Sequence, residues 1–290
     1  MQSNSTAAGT DWRRVRVVLP ALALVVAVLL YAVPSAPIPP GPEAERPPSS
    51  QLGGIGAIVL DPGHGGLATG TTGPGGISEK KLTLDIAVRL RELIYRRIGL
   101  QVFLTRESDH DVPLDQRTEK ANNWRGDLFI SIHANGYRLP DIRGPETYFL
   151  SASASDQIAR EVANSENAGA APTGVEASAR PPDPSLQFIL WDLAQTQHLR
   201  ESSMLAETVQ ANLNNLWQLR DRGVRQAPFR VLKGATMPAI LVEVGYLSNH
   251  QDAALLADPF FRQQIAEALF RSITTFRDRH AALVGASPEP

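Results

Sequence analysis

From Ile55 onward, short apolar runs alternate with segments whose apolar residues recur every three or four positions. This rhythm predicts an α/β fold: a single layered domain with a mostly parallel central sheet flanked by helices. Ala57–Asp61, Val102–Thr105, Asp127–His133 and Thr147–Leu150 read as the first four strands. Leu82, Ile86, Leu90, Leu93 and Ile94 fall on one face of a helix whose other face carries Arg and Glu. Further helices are expected over Pro113–Trp124, about Ser155–Asn164 and Ser202–Trp217. Phe229–Leu232 and Ala239–Val244 read as later strands, and Phe260, Ile265, Leu269 and Ile273 as a closing helix.

One stretch breaks the rhythm. Ala168–Pro184 is rich in Ala, Gly and Pro without an apolar period, so it reads as a loop inserted between helices. The apolar segment Leu186–Leu193 after it reads as a short packed helix, and the whole excursion spans about 164–197. The expected folded domain is 52–280, followed by a flexible tail, 281–290.

The N-terminal part has a different character. A basic segment, 1–16, contains Arg13, Arg14 and Arg16 and precedes an uncharged run, Val17–Val33. At roughly 1.5 Å per residue that run gives about 25 Å of helix, slightly short of a roughly 30 Å hydrocarbon core. It reads as a signal anchor or a signal peptide (17–33), and the upstream arginines favour an orientation that exports the rest. A membrane contact through this segment is therefore expected. The domain would then lie outside the cytoplasmic membrane, in the periplasm or cell wall, anchored or secreted. Residues 34–51 are proline-rich and read as an extended linker.

Composition narrows the chemistry. With 43% hydrophobic and 20% charged residues among 290, a substantial core is expected. A net charge of -2 gives no sign of a nucleic-acid surface. The absence of cysteine excludes disulfides, thiolate metal sites and a cysteine nucleophile.

Four residues stand out against that background. His64 follows a strand within Asp61-Pro62-Gly63-His64-Gly65-Gly66, where glycines leave room for a ligand beside the imidazole. Its plain alternative is a turn histidine. Glu79 opens the amphipathic helix, where a carboxylate is ordinary helix-terminal chemistry. His133 ends the strand Leu128–Ile132, at the sheet edge where α/β folds build sites, although a lone histidine there is more often a satisfied core residue. Glu243 lies inside Ile240-Leu241-Val242-Glu243-Val244, and a carboxylate in such a run is expensive unless it is paired or functional. Two His and one Glu are a frequent catalytic zinc set, leaving the second Glu as a general base. His110, His198, His250 and His280 lie in polar segments and read as surface residues.

Taken in order, these residues, Thr105-Arg106, Arg117 with Ala121-Asn122, Ser131-Ile132-His133-Ala134-Asn135 and Gly245-Tyr246-Leu247-Ser248-Asn249 resemble the zinc-dependent N-acetylmuramoyl-L-alanine amidases of the cell-division type. The likeness covers roughly residues 55–278. It implies that His64, Glu79 and His133 bind one Zn2+ ion and that Glu243 is catalytic. The substrate implied is peptidoglycan, cut between N-acetylmuramic acid and L-alanine during wall remodelling or daughter-cell separation. The excursion resembles the inserted region in which a glutamate of a regulatory helix occupies the zinc, a role that falls to Glu166. An activator with a LytM-like domain is implied as partner, with the residues around Phe188 and Trp191 as its docking surface. The loop Leu67–Gly76 departs from many members by lacking Asp-Pro-Gly after the first Gly-Gly. Two other readings stay open: a zinc peptidase acting within the stem peptide, and a catalytically dead wall-binding protein.

Overall fold

The computed structural model describes residues 54–168, 186–217 and 223–285, and of 186–196 and 283–285 the backbone only. The expected segments 1–16, 17–33 and 34–51, the Ala/Gly/Pro stretch of the excursion and the side chains of Phe188 and Trp191 lie outside the described residues. Among the described residues, no helix is long and apolar enough to cross a membrane.

Six strands form one sheet: β1 (Ala57–Pro62), β2 (Gln101–Leu104), β3 (Leu128–Asn135), β4 (Glu146–Leu150), β5 (Arg225–Ala227) and β6 (Ala239–Tyr246). Their order is β2-β1-β3-β6-β4-β5. The pairs β1–β2, β1–β3 and β3–β6 are parallel, and β4 runs antiparallel to β6. The helices are α1 (Glu79–Ile98), α2 (Leu114–Asn123), α3 (Gln157–Ala168), α4 (Leu186–Trp217), α5 (His250–Ala257) and α6 (Pro259–Gly285).

Alternation along the strands fills both faces. Ile58 and Leu60 of β1, Ile130 and Ile132 of β3, and Ile240 and Val242 of β6 pack with α1, α4 and α6 in one cluster. Val59, Phe129, Leu241 and Tyr148 point the other way, onto α2 and α3. Central strands covered on both faces read as nearly continuous apolar runs, as β1, β3 and β6 do. Local chemistry sets the boundaries: α1 stops at Gly99, whose φ of 66° is left-handed and whose N–H donates back to Tyr95 O. Asn249 starts α5, accepting from the backbone N–H groups of Gln251 and Asp252.

Several expectations need correction. Phe229–Leu232 is not a strand; Arg230–Leu232 forms a 3-10 turn after the short β5. Pro228 has no N–H to continue a ladder, and Val231 and Leu232 bury themselves from the turn instead. Leu186–Leu193 is not a separate short helix but the start of the 32-residue α4. α3 continues past Asn164 to Ala168. Its buried Ala159, Val162 and Ala163 sit at helical spacing, and the next position of that stripe is Glu166. α5 carried no sequence signal beyond Asn249 and was not anticipated.

The connection from β1 leads through α1 to β2 on one side, and the chain then returns through α2 to β3 on the other. The switch point between β1 and β3 is where open α/β sheets place ligands. β1, β3 and β6 all end at this edge of the sheet, and β4, antiparallel to β6, begins at the same edge.

Candidate metal centre and active site

His64 stands two residues past β1 with φ of 60°, a left-handed conformation that is uncommon for a residue with a Cβ. Two buried arginines hold it there. Arg117 donates through Nη1 to Pro62 O at 2.9 Å and through Nη2 to His64 O at 3.0 Å. Arg106 donates through Nε to Pro62 O at 2.9 Å and through Nη2 to Gly63 O at 2.8 Å and Lys80 O at 2.7 Å. The Asp61 carboxylate, buried in β1, accepts from Arg117 at 2.8 Å, Thr105 Oγ1 and Ser131 Oγ. Burial alone would raise the pKa of Asp61, but the Arg117 charge and these hydrogen bonds hold it below the usual carboxylate range. Asp61 was not singled out from the sequence, although the reasoning that found Glu243, a carboxylate inside an apolar strand, applies equally to it.

Four side chains converge at this edge. His64 Nε2 lies 3.0 Å from Glu79 Oε1 and 3.3 Å from Glu166 Oε2. His133 Nδ1 lies 3.2 Å from Glu79 Oε1 and 3.0 Å from Glu166 Oε2. One ligand atom from each of the four falls within 4.8 Å of the others, a grouping that can hold a metal ion. A tetrahedral ion bonded at about 2.0–2.1 Å separates its ligand atoms by about 3.3 Å, so these spacings fit one cation. The donor set fits as well, since imidazole nitrogens and carboxylate oxygens suit zinc. His64 Nε2 is buried, and its contacts are the two carboxylates of this cluster.

Each donor is oriented by its element. Glu79, the first residue of α1, is fully buried; Oε2 accepts from Thr71 N at 2.7 Å and Oε1 from Ala134 N at 3.0 Å. His133 packs its ring against Gly63, where an added Cβ would lie 2.4 Å from the ring. Glu166 is brought in by the last turn of α3, which is fixed on both sides. Asn167 donates to Pro228 O at 2.9 Å and accepts from Arg230 N at 2.7 Å, while Tyr137 Oη donates to Glu161 at 2.6 Å. Burial would lower the pKa of His64, yet its bonds to Glu166 and Glu79 push it up to about 10. Burial works against Glu166 as well, and the His133 and His64 charges hold it well below its ordinary value. A divalent cation bound here would compete with protons for the two imidazoles.

Glu243 sits on β6 in register with His133 on β3 and opposite Glu146 on β4. Both its carboxylate oxygens are buried and neither has a hydrogen-bond partner. Desolvation raises its pKa well above the usual carboxylate value, and Glu166, Glu79 and Glu146 add to the effect. Glu146 itself accepts from Tyr148 Oη at 2.5 Å and Tyr246 Oη at 2.6 Å. Of the remaining histidines, His110 and His250 are exposed, whereas His198 and His280 are half-buried on either side of Glu201.

The chain matches the family model described as N-acetylmuramoyl-L-alanine amidase over residues 58–275. It is 35% identical over 232 residues to the N-acetylmuramoyl-L-alanine amidase AmiA of Escherichia coli, covering 80% of this chain and 79% of that protein. It is 36% identical over 220 residues to AmiC of Neisseria meningitidis, covering 76% of this chain and 52% of that one. Among solved structures, the amidase AmiC2 of Nostoc punctiforme superposes with a TM-score of 0.57 at 30% identity, over 77% of this chain and 98% of that one. The CwlD amidase of Clostridioides difficile, solved in complex with the GerS lipoprotein, gives 0.58 at 25% identity over 77% and 99%.

Proposed function

The chain belongs to the N-acetylmuramoyl-L-alanine amidase family, and we propose that it works as a zinc enzyme whose ion is held by His64, Glu79 and His133. Its reaction is hydrolysis of peptidoglycan at the amide joining N-acetylmuramic acid to L-alanine. The observation that carries the site assignment is Glu243, a buried carboxylate with no partner, in register with one histidine of a two-His, two-Glu cluster.

A zinc ion bound there supplies Lewis acidity, polarising the amide carbonyl and making water acidic enough to attack near neutral pH. Glu243 does the proton work. Its carboxylate takes the proton from the attacking water and hands it to the amide nitrogen, so that L-alanine leaves as an amine rather than an anion. The raised proton affinity of Glu243 suits the second half of that transfer. Glu79 and the two histidines keep their orientation through Thr71, Ala134 and the arginine-braced β1 end.

Glu166 makes the fourth contact to the cluster, and in this reading its carboxylate fills the position that substrate and water need. The resting enzyme is then closed, and opening requires the last turn of α3 to move away. A partner with a LytM-like domain would open it only by binding the open state more tightly than the closed one. A peptidoglycan substrate supports a location outside the cytoplasmic membrane, and in this reading 17–33 is the exporting or anchoring segment.

The test is product analysis. Purified peptidoglycan treated with the enzyme should release peptides beginning with L-alanine, and a chelator should stop release until Zn2+ is restored. Fragments cut inside the stem peptide would instead make this a peptidase. No product at all, even from a Glu166→Ala variant with a full complement of zinc, would support a dead wall-binding protein.

A further inference from the structure

Glu166 is one of two carboxylates that α3 turns towards the end of β3. The other, Glu161, accepts from Tyr137 Oη at 2.6 Å and from Arg138 through Nε at 3.3 Å and Nη2 at 3.4 Å. We propose that Tyr137 and Arg138 form a subsite for a free carboxylate of the stem peptide, and that Glu161 fills this subsite in the closed enzyme as Glu166 fills the metal position. The proposal rests on the amidase reading and makes α3 an internal mimic of the substrate, engaged at two points.

The two donors belong to the strand ends that build the site. Tyr137 lies four residues after His133, and its backbone N–H donates to Ser248 Oγ at 3.0 Å, just beyond the end of β6, the strand that carries Glu243. Leu247 N donates in the opposite sense to Asn135 O at 2.7 Å. The Arg138 guanidinium lies over the Tyr137 ring, 5.7 Å from its centroid, so the two donors are gathered at one spot. None of these contacts involves α3, and the donors keep their anchors when it withdraws. The spot favours an ionised carboxylate: hydrogen bonds from Tyr137, Gln157 and Arg138 lower the pKa of Glu161 to about 2. Gln157 is part of α3 itself and leaves with it, so Tyr137 and Arg138 are the donors that a ligand would inherit.

Spacing ties the subsite to the reaction. Glu161 and Glu166 are five residues apart on α3, about 7.5 Å along the helix axis at roughly 1.5 Å per residue. An extended peptide covers about 7 Å in two residues. A substrate whose scissile carbonyl replaces Glu166 at the metal therefore brings the second residue beyond that bond to the place of Glu161. The first of the two is L-alanine, and the second offers the carboxylate. Hydrogen bonds to an ionised acceptor are roughly twice as strong as neutral ones, so Tyr137 and Arg138 together distinguish a free acid from its amide.

The experiment uses the full chain carrying Glu166→Ala, loaded with zinc, and two soluble muropeptides, identical except that the stem carboxylate next to L-alanine is free in one and a carboxamide in the other. In that background Glu161→Ala should lower KM on the free acid about fivefold, because the subsite is vacated. Tyr137→Phe added to it should raise KM about tenfold on the free acid and about threefold on the carboxamide, with kcat within about twofold. Arg138→Gln, at an exposed position, should raise KM about threefold on the free acid alone, and Arg138→Lys should recover part of that loss. If Tyr137 and Arg138 only tethered α3, their loss would act in the same direction as loss of Glu161 and equally on both substrates. That result, or no effect of any of these changes, would overturn the subsite while leaving the amidase reading intact. Failure of the zinc-loaded Glu166→Ala enzyme to release L-alanine-ended peptide from either substrate would overturn the amidase reading and the subsite with it.

Discussion

Arg117 and His64 are joined by a 3.0 Å hydrogen bond from the guanidinium to the histidine's own carbonyl, so a residue on α2 sets the backbone of a proposed metal ligand. The same guanidinium reaches Val112 O, Pro62 O and Asp61, four acceptors that only a planar fork can serve together. Arg117→Lys keeps the charge and loses the fork. Zinc affinity, read by competition with a chromogenic chelator, should fall about 10- to 100-fold. Unchanged affinity would show that the left-handed turn at His64 holds itself.

Asp61 extends that argument to pH. Its folded pKa is depressed, so the stability it contributes is present above its unfolded value of about 3.9 and is lost as pH falls through the folded value. Asp61→Asn leaves Arg117 buried without its counter-charge, a loss of about 3 kcal/mol or more at neutral pH. The gap in melting temperature between wild type and variant should stay constant from about pH 7 to 5 and narrow only below about pH 4. A gap already closing above pH 5 would mean that another group carries it.

Glu166→Ala removes the carboxylate that faces both histidines. Basal release of peptide from purified peptidoglycan should rise while zinc content is unchanged, because the other three donors remain. Loss of zinc without any gain in activity would make Glu166 a structural ligand rather than a plug.

The layered fold was legible because β1, β3 and β6 are mostly apolar and α1 repeats at helical spacing over five residues. His64, Glu79, His133 and Glu243 were legible because charge inside or beside such runs is rare. What escaped was set by neighbours distant in sequence. The turn at Arg230–Leu232 has the composition of a strand, and Pro228 and the packing against α2 decide otherwise. The sequence places the end of α3 at about Asn164 because the apolar stripe stops at Ala163, yet the helix continues and carries the largely enclosed carboxylate of Glu166 rather than another apolar residue. Arg106 and Arg117 fell within recognised motifs, but their purpose appears only when β1, α1 and α2 meet.

Glu243→Gln keeps the shape of the side chain and removes its ability to accept a proton. Turnover on peptidoglycan should fall about 100-fold or more with zinc fully retained, since Glu243 is not among the four grouped donors. Near-normal turnover would assign the proton transfer to another group.

Gly63→Ala tests the packing on which His133 depends. An added Cβ would lie 2.4 to 2.7 Å from three atoms of the His133 ring, so either the ring or the backbone must give way. The backbone is the more constrained of the two. Gly63 N donates to Ile132 O at 2.9 Å, and Gly63 O accepts from Arg106 Nη2 at 2.8 Å and Thr83 Oγ1 at 3.0 Å. The ring is therefore expected to rotate, carrying Nδ1 away from Glu79 and Glu166. Overpacking of this kind costs about 1–3 kcal/mol, which lowers the melting temperature without abolishing the fold. Zinc binding should fall much further, because one donor of a closely spaced set is displaced. A folded variant that still binds zinc with wild-type affinity would show that the strand end moves instead, and that the hydrogen bonds around Gly63 do not fix His133.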